Sequence, residues 1–296
     1  MPLTLSILIT AAHEPQTIGA ALEAFLKFPP PGLLETLVVC PDEATARAAS
    51  RYPDRGVRAL RDAGRGKPAA LNLGLAEARG DLIVFSDGDV TVDPANWTAL
   101  LEPFAAENVG AATGRPVSLS SRSAMLGYWS HVLTEAGAHA VRLELDRAGA
   151  FLLCSGYLYA IRRRLAASIP EDALAEDAVI SLHIHALGRR IRYVPQARVY
   201  VKYPTSYADW VRQKRRSLAG YAQEYVRGAV KGGRSFRTEF GFGAVRALRY
   251  ARGPKELVWT GLLFLARAHV WLQAHLVSRV LRRPLAEVWE RVESTK

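Results

Sequence analysis

The hydrophobic pattern along the first hundred residues switches repeatedly between two periods. LSILIT (5–10), LETLVVC (34–40) and LIVFS (82–86) are strand-like, mostly apolar segments of the length buried strands take, and a further strand is expected around 57–61. Between them, 17–27 and 42–51 place apolar residues at helical spacing. A further helix is expected over 68–79, because Pro68 suits a first turn and Gly80 can end the helix at its C′ position. This βαβα order predicts an α/β fold with a central, mostly parallel sheet covered by helices. The region 110–201 is less regular, with strand-like FLLCSGYLYAI (151–161) and a helix beginning near Glu176. Pro204 introduces a basic helical segment, 206–227, and a glycine-containing stretch follows at 231–234. The pattern therefore divides the chain into an α/β domain, 1–203, and a basic region of amphipathic helices, 204–296.

Composition changes this picture in one respect. At 296 residues and 49% hydrophobic the chain can bury a large core, so disorder is excluded. Cys40 and Cys154 are too few for a disulfide framework or a four-cysteine zinc site, and both lie in apolar runs, as buried thiols in a reducing compartment do. The formal net charge of +11 is the informative quantity, because it is not evenly spread. Residues 1–199 carry 20 basic and 21 acidic side chains, whereas 200–296 carry 19 basic and 7 acidic. Such a block attracts polyanions, anionic lipid among them. The segment 257–277 approaches the roughly 20 residues a bilayer span needs, but Arg267, His269, Gln273 and His275 make it amphipathic. Met1 leads directly into a strand-like run with no leader pattern, and the basic, amphipathic C-terminal region places the expected location at the cytoplasmic face of the cell membrane, with a single span over 257–277 left open.

The candidate chemistry is carboxylate chemistry. Asp87-Gly88-Asp89 follows an apolar run and so falls at the carboxyl end of a strand, where open α/β sheets collect ligands. Two carboxylates there can hold a hard divalent cation. Just upstream, Gly66-Lys67-Pro68 puts a lysine at a helix N-terminus, where an anion can dock. His183 and His185 are two apart on a helix, on different faces, and are read as structural.

In this order the motifs resemble those of the family 2 glycosyltransferases. The resemblance runs over about residues 4–220. It rests on Ala12-His13-Glu14 after the opening strand, Gly66-Lys67 to Gly74, Asp87-Gly88-Asp89, Ser155-Gly156, Glu176-Asp177 and Gln213-Lys214-Arg215-Arg216-Ser217. The resemblance implies a GT-A, Rossmann-like domain and an inverting transfer of a sugar from a nucleotide donor, UDP-linked by expectation, to a membrane-linked or glycan hydroxyl. It implies Asp87 and Asp89 as ligands of Mn²⁺ or Mg²⁺, Asp177 as general base, and Glu14, Asp42, Lys67 and Asp87 on the nucleotide sugar. It places Glu176, Gln213 and Arg216 on the acceptor and diphosphate side. The expected partners are the donor, the acceptor and an anionic membrane surface, for which Trp259, Phe264, Trp271 and Trp289 suit the interface; nucleic acid is not among them.

Two departures mark this chain. Ser217 stands where the membrane-bound polysaccharide synthases of this family carry Trp, and Trp210 and Tyr221 nearby are read as packing residues. Cys40-Pro41-Asp42-Glu43 replaces the paired aspartates that contact uracil in many relatives, which leaves Asp42 as the candidate for that contact. A relative that binds nucleotide without turnover and a basic lipid- or nucleic-acid-binding protein stay open as other readings.

Overall fold

The computed structural model describes residues 3–223, 226 and 242–275. In chain order the elements are β1 (Leu5–Thr10), α1 (Ile18–Leu26), β2 (Leu33–Cys40), α2 (Glu43–Ala49), β3 (Val57–Arg61), α3 (Lys67–Glu77), β4 (Leu82–Asp87) and β5 (Thr91–Val92). Then follow β6 (Val109–Ser118), α4 (Met125–His131), a π-helical stretch Val132–His139, α5 (Ala140–Arg147), β7 (Leu158–Arg162), α6 (Glu176–Ala186) and β8 (Arg190–Val201). The last three are α7 (Tyr207–Ala222), α8 (Phe242–Tyr250) and α9 (Pro254–His275).

The chain divides into two compact units, Met1–Pro116 with Arg142–Val201, and Val117–Val141 with Lys202–Lys296. The second boundary falls close to the expected 203. The stretch 117–141, assigned by its sequence to the α/β part, groups instead with the C-terminal helices.

In the first unit the sheet order is β3-β2-β1-β4-β7-β6-β8-β5. The first four strands are parallel and the rest pair antiparallel where register is defined. Strand order reverses at β1, whose chain continues outward to β2 while β4 returns on its other side. The carboxyl ends of β1 and β4 therefore flank a crevice at a topological switch point. Thr10 and Asp87 are register partners there.

The elements form for local reasons. β1 is buried along its whole length, which this mostly apolar run tolerates because its two hydroxyls, Ser6 and Thr10, are hydrogen-bonded to Glu35 and Asp87. Asp42 caps α2 by accepting from Thr45 N–H. Gly80 does not end α3 as expected: α3 stops at an extended Ala78. Gly80 serves close approach instead, since a Cβ there would lie 2.4 Å from the Ser6 nitrogen, and its N–H donates to Ser6 Oγ at 2.8 Å. The strand-like 151–161 is strand only over Leu158–Arg162.

The second unit is helical. Its core gathers Tyr128, Trp129, Trp210, Leu218, Leu263 and Val270. Arg122 fastens it by donating to both Glu256 oxygens, at 2.8 and 2.9 Å, and to the Tyr250 hydroxyl at 2.9 Å. Trp210 is buried against Trp129, rings 5.1 Å apart, so it packs as expected. The interfacial aromatics do not stand as expected: Trp259, Phe264 and Trp271 pack against this core. Trp289, Arg227 and 231–234 lie outside the described residues. Nor does α9 separate arginines from apolar residues. Its basic residues are Lys255 and Arg267, the latter buried, and large apolar side chains occupy two of its faces. None of the described helices is long and apolar enough to cross a membrane.

Candidate active site

Three loops at the carboxyl ends of β1, β2 and β4, together with the N-terminus of α6, supply the first unit's polar centre. β4 ends in Asp87, half-buried, whose Oδ1 accepts from Thr10 Oγ1 at 3.3 Å. Gly88 follows at a point of close approach, where an added side chain would force its neighbours to shift. A Cβ on it would meet Ala11 Cβ and Glu14 Oε2, both at 2.6 Å. The missing side chain thus brings the Glu14 carboxylate against the Asp87-Gly88-Asp89 turn. Glu14 is held in turn by its N–H donating to Thr45 Oγ1 at 2.8 Å.

Lys67 opens α3, after Gly66 at φ +103, a left-handed conformation that favours glycine. Its ammonium lies 2.7 Å from Asp87 Oδ1 and 2.7 Å from Glu176 Oε1. Burial alone would lower the Lys67 pKa, but the charges of Asp87 and Glu176 more than reverse this and raise it, so the lysine is a fixed cation. Glu176 and Asp177 form the first turn of α6, where the helix dipole favours carboxylates.

Asp177 Oδ2 accepts from Gly156 N–H and Oδ1 from Ala178 N–H, each at 2.9 Å. Ser181 Oγ donates to the Asp177 carbonyl at 2.6 Å and accepts from Cys154 N–H at 2.9 Å, which ties α6 to the 154–156 segment. Burial, and then the neighbouring Glu176 charge, push the Asp177 carboxyl up to about 6. A carboxylate tuned in this direction is a usable base near neutral pH. The buried thiols Cys40 and Cys154 are pushed up to about 11 and about 12 by desolvation, which makes them inert.

Asp42 is occupied differently from its expected role. Oδ1 accepts from Thr45 N–H and Oγ1, at 2.9 and 2.8 Å, and Oδ2 accepts from His13 N–H at 2.7 Å. Those hydrogen bonds hold its pKa down against the desolvation that would raise it. His13, at φ +55, is thereby pinned in a left-handed conformation that non-glycine residues seldom adopt. Asp42 is first of all the clasp between the β1 and β2 loops.

The first unit thus brings together Glu14, Lys67, Asp87, Asp89, Glu176 and Asp177, with Asp42 at the neighbouring loop. Gln213 and Arg216 lie on α7, in the second unit, both half-buried. His185, on α6, stacks on Phe151 at 4.3 Å. Thr10 and Gly156 are the contributors given no separate role by sequence. Thr10 was within reach, since it ends β1 beside the strand that ends in Asp87.

Among the described residues no three His, Cys, Asp or Glu side chains gather as a ready metal cage. Asp87 and Asp89, hard oxygen donors separated by one glycine, nevertheless suit Mg²⁺ or Mn²⁺, ions that fill most of their shell with phosphate oxygens and water. The donor set therefore fits a divalent cation that arrives with a phosphate-bearing ligand.

An open α/β unit with a paired-carboxylate turn at its strand-order switch places that turn where proteins of this architecture bind their ligands. The chain belongs to the family described as glycosyltransferase like family 2, whose model matches residues 2–220. It is 26% identical over 234 residues to "Probable glycosyltransferase YdaM" of Bacillus subtilis, covering 75% of this chain and 55% of that protein. It is 27% identical over 160 residues to the poly-beta-1,6-N-acetyl-D-glucosamine synthase of Staphylococcus aureus, covering 53% and 39%. The chain spans about half the length or less of these relatives. In fold it matches the Pyrobaculum calidifontis mannosyltransferase PcManGT, solved with GDP-Man and Mn2+, at TM-score 0.61, 18% identity, and 98% and 83% coverage. It also matches the Mycobacterium tuberculosis glucosyl-3-phosphoglycerate synthase, solved with Mn2+, UDP and glucosyl-3-phosphoglycerate, at TM-score 0.54, 20% identity, and 78% and 82% coverage.

Proposed function

We propose that this chain is an inverting glycosyltransferase that moves a sugar from a UDP-sugar to a hydroxyl of a membrane-linked or glycan acceptor. The observation that carries the reading is the Lys67-bridged pair Asp87 and Glu176 beside a proton-seeking Asp177, on the ligand side of the sheet. Asp177 acts as general base: it takes the acceptor proton as the acceptor oxygen attacks C1 from the face opposite the diphosphate. One displacement inverts the anomeric centre. A single carboxylate suffices because the diphosphate leaves without a proton, unlike the acid and base pair of a glycoside hydrolase.

Asp89 and Asp87 hold a divalent cation, whose chemistry when bound is to neutralise charge on the leaving diphosphate. Lys67 adds positive charge toward the same group, and Arg216 on α7 is the further cation that the family resemblance assigns to the diphosphate. Glu14 contributes to the nucleoside side, with Asp42 holding the loop that borders it. Glu176 anchors Lys67, and Gln213 serves the acceptor side.

An anionic bilayer is the proposed docking surface for the second unit. Leu257, Val258, Leu262, Leu265 and Leu272 of α9 are 40–68% exposed on one side of the helix. No charged residue falls between 257 and 272 on that side, and the surrounding sequence from 200 onward is strongly basic. A location at the inner face of the cell membrane follows from the same reading.

The test is nucleoside diphosphate release from UDP- and GDP-sugars with Mn²⁺, Mg²⁺ or EDTA, using the native chain, Asp89→Ala and Asp177→Asn. Metal-dependent turnover of a UDP-sugar, lost in both variants, is the expected result. Turnover of GDP-sugars alone would correct the donor. UDP binding without turnover on any acceptor extract would leave a nucleotide-binding relative, and absence of binding would overturn the reading.

A further inference from the structure

The oxygen of Asp87 that faces a metal ligand's task already carries a cation. Lys67 Nζ sits 2.7 Å from Asp87 Oδ1, with Thr10 Oγ1 on the same oxygen at 3.3 Å. A divalent ion bound to this carboxylate would stand within roughly 4 Å of the ammonium, at distances where like charges in a half-buried site repel strongly. The Asp87 Oδ1 that Lys67 holds therefore serves one cation at a time, and a metal that uses it must displace the ammonium. The lysine is well suited to give way. Its charge sits at the end of a flexible four-carbon stem, in the first turn of an eleven-residue helix that has no acidic residue and no side-chain cap there. A helix N-terminus repels a cation and attracts phosphate, so Lys67 gains by moving its charge onto an anion that docks at α3. Glu176, buried and bonded to the same ammonium at 2.7 Å, is the fixed point about which the swing occurs.

We propose that Lys67 and the divalent cation are alternative occupants of Asp87, and that the donor diphosphate admits the metal by drawing the ammonium off that carboxylate. The inference rests on the nucleotide-sugar reading above and deepens it. Lys67 is then a positioning residue that makes metal binding conditional on nucleotide. Without donor it neutralises two buried carboxylates and keeps the site poor in metal; with donor it contacts phosphate while retaining Glu176. By reciprocity, whatever factor the nucleotide adds to metal affinity, the metal adds to nucleotide affinity. Part of that factor belongs to direct contact between metal and phosphate, and the remainder belongs to Lys67.

The experiment counts free Mn²⁺ by electron paramagnetic resonance in solutions of the full chain, with Mn²⁺ alone and with UDP added. Lys67→Met is expected to bind Mn²⁺ alone at least tenfold more tightly than the native chain, and to show a correspondingly smaller enhancement by UDP. The double variant Lys67→Met/Glu176→Gln removes the ion pair with its charges balanced, and decides the matter if the single variant does not fold. Mn²⁺ affinity unchanged or weakened in the folded variant, measured without nucleotide, would overturn the exchange even if the native chain binds UDP. Failure of the native chain to bind UDP at all would instead overturn the nucleotide-sugar reading on which the exchange depends. Tighter metal in the variants without any loss of UDP enhancement would also overturn it, because the lysine would then compete with metal but not answer to the nucleotide.

Discussion

The two units solve opposite problems with their side chains. The first unit buries charge and answers it internally: Lys67 sits between Asp87 and Glu176, and Glu35 in β2 takes Ser6, Arg58 and Arg79. The second unit encloses an aromatic core, yet leaves the Leu257, Val258, Leu262, Leu265 and Leu272 side of α9 in water. Uncompensated buried charge is intolerable, so the first unit is complete in itself. Exposed apolar area of this extent is tolerated but marks a surface that meets something else. On the proposed reading, the contrast separates the unit that does the chemistry from the unit that docks on a bilayer.

The sharpest way to break the contrast is to remove the base. Asp177→Asn should lower kcat about 10³-fold while UDP affinity stays within a few-fold, since proton abstraction by a placed group contributes on the order of 10²–10⁴. A comparable loss of UDP binding, measured by calorimetry, would make Asp177 a donor-binding residue instead. The corresponding change in the second unit is Leu257→Glu with Leu265→Glu. This pair should reduce partition onto phosphatidylglycerol vesicles by about a hundredfold or more, because two leucines at about 1.5–3 kcal/mol each sum to about 3–6 kcal/mol. Turnover of a water-soluble acceptor should be unaffected; equal partition of variant and native chain in a flotation assay would remove the bilayer as the partner.

A smaller effect is expected within the helical unit. Arg122→Met should cost about 2 kcal/mol, the scale of a charged hydrogen-bond set in a partly buried place, readable in urea titration. The Arg122 guanidinium holds Glu256 down to about 2. A depressed carboxyl stabilises the fold above its ordinary value of 4.5, and that contribution is lost as pH falls from there toward 2. Arg122→Met should therefore flatten the acid dependence of stability in that window. The mildest prediction concerns pH and rate. Asp177 must be ionised to act, so kcat/KM should fall about tenfold per pH unit below about 6. Glu176→Gln should move the midpoint downward, because the Glu176 charge is one of the two causes raising it; an upward movement would contradict the assigned cause.

Much of this contrast was legible in one sequence, and the reasons are specific. Strands β1, β2 and β4 announce themselves because buried parallel strands are dominated by apolar side chains, and β3 shows only as a short segment, VRALR, between turn signals. β6 did not, since Gly110 and Gly114 interrupt its pattern. A Cβ on Gly114 would come within 2.5 Å of the Ala197 carbonyl, and one on Gly110 within 2.7 Å of Ile184 Cγ2, so packing forbids the side chains that would have marked the strand. β8, twelve residues with both faces partly covered, lay in the same quiet region. At the site, the residue types and their order were readable. The partnership of Lys67 with Glu176 was not, because the sheet joins segments far apart in the chain. The second unit misled for a different reason: aromatic side chains on α9 looked like interface anchors, and only packing shows Trp259, Phe264 and Trp271 half-buried against the core while Leu257, Leu262, Leu265 and Leu272 are exposed.

The two deeply seated thiols give the molecule a built-in clock for its own opening. Cys40 closes β2 under the loop clasped by Asp42, and Cys154 abuts the segment that holds Asp177. With both thiols protonated at neutral pH and out of reach of solvent, an alkylating reagent can modify them only during excursions in which the surrounding backbone separates. The labelling rate at each cysteine therefore times how often its side of the crevice comes apart, so ligands that stiffen the nucleoside loop and ligands that stiffen the base can be told apart by which thiol falls silent.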